Sequence, residues 1–478
     1  MTITMERSYY IETFGCQMNK GDSDLMALSL SGAGFLPAPV PEEADILVFN
    51  TCSVREHAEN RALARIRSAR SLRKKGGVMI VVAGCMAQNR GTELVDSGIA
   101  DLVVGPYQSP ALGEILRNLN RSGRERVFLS SRPEDLASRI PRETLPRDKT
   151  FPWHQWVTIT HGCGNFCSYC IVPYVRGPLV SFPSGALLRH IRLLPESGIT
   201  EITLLGQNVN QYGQDSGDLP FYRLLEETAR IKGLERIGFL TSHPRDFDEN
   251  ILRVIADYPN ISRSLHLPLQ SGSDRVLSQM NRHYTMSHYR NIARSVHRLL
   301  ESYSLSTDLI VGFPGEREED FRATLDAVRE VRFDEAFTYA YSPREGTAAA
   351  RLREELTREE KIARLEELIR LQREISREKL LARILTTAEE AVIVLDLAGR
   401  VQSWNPAAER ILGRKAGEVL GREAGFLTPD GESLADRISR VSAGREPVRE
   451  SLVLLGPEGR PFPADVTWSP IENDDGRA

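Results

Sequence analysis

The chain has little cysteine and little histidine, and neither is spread evenly. Among 478 residues there are six Cys and nine His; none of the His lies beyond His297 and none of the Cys beyond Cys170. Six thiols in so long a chain do not make a disulfide framework. No apolar run reaches the roughly 20 residues a bilayer-crossing helix needs. The opening stretch MTITMERSYY has no apolar core of a secretion signal. A soluble, cytoplasmic protein with no membrane association is therefore expected. A net charge of only −4 excludes a strong overall attraction for polyanions, so a nucleic-acid partner would have to be held by a local basic surface.

What is present falls into three segments, in line with about 150 residues per domain. Residues 1–120 alternate short apolar runs (YYIETFGC, ADILVFNTC, VMIVVAGC, ADLVVG) with helical stretches such as REHAENRALARIRSARSLRKK. That rhythm predicts an open, mostly parallel α/β sheet. Cys16, Cys52 and Cys85 each close one of the predicted strands. The carboxyl ends of strands are where open α/β sheets bind ligands, so three remote thiols are expected to meet at one edge. Residues 121–149, polar and rich in Arg and Pro, read as a linker. Residues 150–353 repeat the strand–helix unit about six times, which fits a partial (β/α)6 barrel with polar residues (GQNVN, SHP, QSGSD, GFPGE) at the strand ends. Residues 354–384 form a charged connecting helix with Ile362, Leu365 and Ile369 at spacings of three and four, suited to packing on the barrel or to a short dimerising coiled coil. Residues 385–478 read as a small α+β module.

Half of the cysteines sit in THGCGNFCSYC, with three residues between Cys163 and Cys167 and two between Cys167 and Cys170. Zinc usually takes four protein ligands, and no fourth Cys or His follows at zinc spacing. Three thiolates suit a [4Fe–4S] cluster with one iron left open.

The Cys-x3-Cys-x2-Cys motif, with Tyr169 inside it, resembles the signature of radical S-adenosylmethionine (SAM) enzymes. Together with TFGCQMNKGDSD, NTCSVREHAEN, GCMAQ, LLGQNVNQYG, LHLPLQSGSDRVLSQMNRHYT, STDLIVGFPGE and FTYAYSPREGTAA, it is similar to the methylthiotransferase family, in the branch acting on N(6)-dimethylallyladenosine of tRNA. The resemblance covers roughly residues 8–375. It implies two [4Fe–4S] clusters, one on Cys163, Cys167 and Cys170 that binds SAM and one on Cys16, Cys52 and Cys85 that carries sulfur. It also implies that one SAM methylates that sulfur. A second SAM yields a 5′-deoxyadenosyl radical that takes hydrogen from carbon 2 of the adenine. Tyr169, Gly206, Gln207 and Asn208 would contact SAM on its amino-acid side, and Gly312, Phe313, Pro314, Gly315 and Glu316 on its adenine side. Arg176, Gln270 and Ser271 would face the substrate. The partners implied are a tRNA anticodon loop, an electron donor and a sulfur donor, with a dimer through the connecting helix or the C-terminal module.

Two features depart from the family. Where it usually reads Arg-Gly-x-Glu-x-Ser-Arg, this chain has Leu179 and Phe182 in place of the two later charges, which should change the electrostatics near SAM. In place of the usual tRNA-gripping β-barrel, AVIVLDLAGRVQSWNPAAERILGRKAGEVLGR resembles a PAS sensory domain, which would be incomplete at IENDDGRA or completed by a partner. That segment has neither His nor Cys, which excludes a His-ligated haem or a cysteinyl–flavin adduct in it; a non-covalent ligand and a purely dimerising role both remain. The alternatives to a tRNA enzyme are a cluster-bearing redox or iron sensor with a PAS output, and a methylthiotransferase acting on another tRNA base or on a ribosomal protein.

Overall fold

The computed structural model describes residues 7–53, 56–122, 126–129, 152–429, 434, 438–439, 441 and 447–470. The chain forms two compact units that divide between Arg373 and Glu374.

The first unit opens with a six-stranded, all-parallel sheet: β1 (Ser8–Thr13), β2 (Leu36–Pro37), β3 (Ile46–Thr51), β4 (Met79–Gly84), β5 (Leu102–Val104) and β6 (Val127–Phe128), in the order β2-β1-β3-β4-β5-β6. Strand β3 is buried at every position, as parallel strands covered on both faces must be. Leu47, Phe49, Ile80 and Val82 pack on one face with Ala62 and Ile66 of α2 (Glu56–Gly76) and Met86 and Leu94 of α3 (Cys85–Asp96). Ile46, Val48, Val81 and Ala83 pack on the other with Met26 and Leu30 of α1 (Gln17–Gly32) and Leu112 and Leu116 of α4 (Leu112–Ser122). The sheet does not stop at residue 120: α4 runs to Ser122, and β6 pairs with β5 through Val103 and Val127. The stretch read as a linker thus begins as the sheet's edge, while its residues 130–149 lie outside the described residues.

The barrel part has six parallel strands in two sets of three: β7 (His154–Thr158), β10 (Glu201–Leu205) and β11 (Arg236–Phe239), then β12 (Ser264–His266), β13 (Ser304–Val311) and β14 (Glu335–Ala340). A parallel bridge between Ile237 and Ile261 joins the two sets, giving the open barrel expected. A short antiparallel pair, β8 (Thr160–His161) with β9 (Val180–Ser181), brackets the cysteine loop. In that loop α5 (Val172–Arg176) follows Cys170. The outer helices are α6 (Ser184–Leu193), α7 (Phe221–Ala229), α8 (Glu249–Asp257), α9 (Asp274–Gln279), α10 (Met286–Leu299) and α11 (Glu318–Val331). Along β13 burial alternates strictly, with Leu305, Thr307, Leu309 and Val311 covered.

Helix α12 (Arg358–Thr387) buries a different stripe from the one its sequence suggests. Lys361, Leu368 and Gln372 are buried, whereas Ile362 is exposed. Polar tips decide the phase: Lys361 pairs with Glu354 and lies over the Tyr341 ring, and Gln372 donates to Phe333 O.

The second unit holds the hairpins β15 (Ile393–Leu395) with β16 (Val401–Trp404) and β17 (Val448–Leu455) with β18 (Pro461–Trp468). The WNPAAERILG stretch has a direct physical role. The Asn405 side-chain Oδ1 caps α13 (Pro406–Leu412) by accepting from Ala408 N, Trp404 Nε1 donates to Arg414 O, and Gly413 ends the helix in the left-handed region.

Candidate functional site

The N-terminal cysteines come together because three neighbouring parallel strands end beside one another. Cys16 is the N-cap of α1, Cys52 directly follows β3, and Cys85 directly follows β4 and starts α3. The edge is tightly built. Gly84, at φ +88°, has Thr51 O and Asn50 Oδ1 each 2.5 Å from where a Cβ would stand; at Gly15 that position is 2.3 Å from Cys52 Cβ. Cys52 and Cys85 are buried, and Cys16 lies at the exposed rim. A hydrogen bond with Cys52 is the main cause that lowers the Cys16 thiol to about 6, while burial pushes Cys85 up.

Helix α1 carries the polar lining. Asn19 donates from Nδ2 to Phe14 O (2.7 Å) and Thr51 O (3.0 Å), which ties the Cys16 turn to the end of β3. Gly21 faces Thr158 of β7, with only 3.2 Å between its Cβ position and Thr158 Oγ1, so α1 lies directly on the barrel.

Arg176 is buried, and its guanidinium reaches the N-terminal trio: Nε to Cys85 Sγ at 3.2 Å, Nη2 to Asn19 Oδ1 at 2.9 Å and to Asp22 Oδ2 at 2.5 Å. Its carbonyl accepts from Tyr107 Oη at 2.8 Å. Arg176 stands six positions after Cys170 and is the last residue of α5, so one short helix leads from the second cysteine set to the first.

The second set is held in a loop pinned from several sides. Ser168 N donates to Met280 O, Asn281 Nδ2 to Phe166 O, and Cys163 N to Gly177 O. Burial raises Cys163 to about 11, and raises Cys170 as well. A buried guanidinium stands here too: Arg282 approaches Cys167 Sγ at 3.5 Å and donates to Pro268 O at 2.7 Å. His243 Nε2 lies 3.8 Å from Cys167 Sγ, and burial lowers its pKa. Asp246 Oδ2 accepts from Asn165 (2.9 Å) and Asn208 (2.7 Å), linking the cysteine loop to the loop after β10. Arg282 and Asp246 were not singled out from the sequence, although NRHYT lay inside a quoted motif and Asp246 follows SHP by two residues.

The other predicted residues divide by what their side chains already do. Gln207 Oε1 and Nε2 and Gln270 Oε1 are buried without partners among the described residues, so they are free to meet a ligand. Asn208 is used by Asp246 and by His243 N. Ser271 is fully buried against Thr324 of α11, away from solvent. Glu316 accepts from Gly312 N (2.9 Å) and from Arg364 of α12 (2.6 Å). Phe313 and Tyr169 pack together in a core with Met280 and Tyr341. Pro314 is buried, and Gly315 O takes a hydrogen bond from Arg275. Phe182 is also buried, with its backbone held by Ile159 and Tyr212. Below the loops, Trp156, Thr203, Gly238 and Ser264 line a barrel cavity of about 450 Å³.

Three cysteines with a buried guanidinium beside one of them, in each set, suit an anionic group rather than a neutral ligand. The comparisons agree with that chemistry. The family described as Uncharacterized protein family UPF0004 matches residues 8–105, the Radical SAM superfamily matches 157–328, and the PAS fold matches 379–478. The tRNA-2-methylthio-N(6)-dimethylallyladenosine synthase of Dictyoglomus thermophilum is 42% identical over 403 residues, 83% of this chain and 88% of that protein. The synthase of the same name from Carboxydothermus hydrogenoformans is 42% identical over 379 residues, 78% and 85% of the two chains. Among solved structures, the radical S-adenosylmethionine methyltransferase TsrM from Kitasatospora setae, with cobalamin and a [4Fe-4S] cluster bound, superposes with a TM-score of 0.56 at 14% identity, covering 72% of this chain and 74% of that one. At that identity the likeness concerns the fold alone.

Proposed function

This chain belongs to the tRNA-2-methylthio-N(6)-dimethylallyladenosine synthase family of radical SAM enzymes, and from that premise we propose that its six cysteines form two sites with separate tasks. The protein is a radical-SAM tRNA methylthiotransferase. Cys163, Cys167 and Cys170 hold the [4Fe–4S] cluster that binds SAM, and Cys16, Cys52 and Cys85 hold a second cluster. The reaction places a methylthio group on carbon 2 of N(6)-dimethylallyladenosine beside the anticodon. When bound, the clusters and SAM supply the electron, the radical and the sulfur that an unactivated aromatic C–H demands, because acid–base chemistry has no useful route there.

The chain's own residues position the reactants. The observation that carries the reading is the convergence of Cys16, Cys52 and Cys85, remote in sequence, on one sheet edge that α5 connects to the other cysteine loop. Gln207 and Gln270, with unpartnered buried amide atoms, offer polar groups to SAM or to the base. An anticodon-loop base is single-stranded and can be splayed out for stacking and edge contacts. Exposed Arg61, Arg67 and Arg70 on α2 offer phosphate contacts. A reductase or flavodoxin-type electron donor and a sulfur donor complete the cycle in the cytoplasm. Self-association runs through α12, where Leu380, Leu381 and Ile384 are exposed, or through the PAS unit.

The test is nucleoside mass spectrometry of tRNA from a host that makes dimethylallyladenosine, lacks its own methylthiotransferase and expresses this chain. The 2-methylthio nucleoside should appear. It should vanish on Cys85→Ala, a variant that still forms 5′-deoxyadenosine, and on Cys167→Ala, a variant that does not. The PAS match at residues 379–478 favours a second reading, a cluster-bearing sensor. Folded, fully loaded protein that forms no 5′-deoxyadenosine from SAM would support the sensor.

A further inference from the structure

Arg176 is an expensive residue to bury. A guanidinium has five N–H donors and no acceptor, and leaving one of its donors unpaired in the interior is costly. Here Nε and Nη2 are used by Cys85, Asn19 and Asp22. Nη1 is buried and has no partner among the described residues. The arrangement is rigid on every side. The carbonyl of Arg176 is held by Tyr107, Asn19 is held by two backbone carbonyls, and Asp22 is 5% exposed on a helix packed against the barrel. A donor with no partner, fixed beside a cysteine at a three-thiolate site, is matched to an acceptor that only the bound group provides.

The inference rests on the reading that Cys16, Cys52 and Cys85 hold an iron–sulfur cluster. We propose that Arg176 is a positioning residue of that site: it donates through Nε to Cys85 Sγ and through Nη1 to a sulfur of the bound cluster, and thereby raises the potential at which the site is reduced. The sign follows from electrostatics. Reduction adds negative charge, which N–H donors and a nearby cation favour, and hydrogen bonds to sulfur and net charge are among the main determinants of cluster potentials. Asp22 acts in the opposite sense, offsetting part of the guanidinium's charge while holding it in place. Because Arg176 follows Cys170 by one short helix, the same residue also ties the geometry of the two cysteine sites together.

The experiment uses the full chain carrying Cys163→Ala, Cys167→Ala and Cys170→Ala, so that only the N-terminal site loads. Iron is introduced anaerobically, iron and sulfide are counted per chain, and the reduced cluster is followed by electron paramagnetic resonance through a redox titration. Adding Arg176→Gln should shift the midpoint to lower potential and change the signal at unchanged iron content. Adding Asp22→Asn should shift it to higher potential. Midpoints equal to the parent's in both fully loaded variants, or shifts of the same sign, would overturn the proposal, as would loss of iron from both, which would make the pair a scaffold only. If Arg176→Gln alone fails to load, the sign of the Asp22→Asn shift decides. Failure of the parent to load iron would count against the cluster reading itself, not against Arg176.

Discussion

Replacing Gly84 by alanine probes how closely the cysteine-bearing edge is built. Gly84 ends β4 at φ +88°, ψ −156°, a region essentially confined to glycine that costs other residues about 1–3 kcal/mol. A Cβ there would also stand 2.5 Å from Thr51 O and 2.5 Å from Asn50 Oδ1. Neither atom yields easily. Thr51 belongs to a central strand, and the Asn50 amide is tied to Asn19 O at 2.7 Å and Ser23 Oγ at 2.9 Å. Overpacking of this kind adds about 1–3 kcal/mol, so the total is about 2–6 kcal/mol. At about 2–4 °C per kcal/mol for a domain of a few hundred residues, the unfolding midpoint should fall by about 5–20 °C. Gly34→Ala is the control: Gly34 has φ +87° but nothing within 4 Å of its Cβ position, so only about 1–2 kcal/mol of backbone strain applies. Thermal unfolding of the unloaded protein, followed by iron counting after anaerobic loading, reads both effects. Gly84→Ala should unfold well below Gly34→Ala and lose the iron of the N-terminal site, because Cys85 is the next residue. Equal midpoints and equal iron in the two variants would refute the reasoning.

Arg364→Ala strands the Glu316 carboxylate in the interior, a loss of about 3–5 kcal/mol. Burial already holds the Glu316 carboxyl above its usual range; a raised carboxyl favours folding when protonated and loses that advantage as pH rises. Urea unfolding should therefore show a larger loss at pH 8 than at pH 5, and equal losses would contradict the assignment. Phe166 and Tyr174, 54% and 52% exposed and edge-to-face at 6.2 Å, form an exposed aromatic pair at the Cys163–Cys170 loop. Alanine at either should weaken tRNA binding by about 1–3 kcal/mol while leaving uncoupled 5′-deoxyadenosine formation intact, a split that filter binding and product analysis can separate. Alanine at Arg61, Arg67 and Arg70 together should flatten the slope of log affinity against log salt by about 2, and an unchanged slope would remove α2 from the tRNA surface.

Much of the architecture was legible because the relevant signals are local. Continuous apolar runs ending in Cys52 and Cys85 mark buried parallel strands, and the rule that ligands sit at their carboxyl ends places the thiols together before any coordinates are known. Cys-x3-Cys-x2-Cys needs only one loop. The phase of α12 was not legible: two stripes with spacings of three and four coexist, and contacts of Lys361 and Gln372 to distant residues choose between them. The burial of Phe182 is set by its place after β9, not by any local pattern. Nor does any local pattern record that Ser271 meets Thr324, 53 residues away in sequence.

The sequence by itself determined the family, through its motifs, and the buried strands whose ends carry Cys52 and Cys85, since apolar runs and short-range spacing encode these directly. Only the tertiary structure decided where Arg176 goes. Its partner Asp22 lies 154 residues away on α1, and no local pattern records such a pairing. What selects it is the packing of α1 against β7, which brings a carboxylate, an amide and a thiol around one guanidinium and leaves Nη1 without a partner among the described residues.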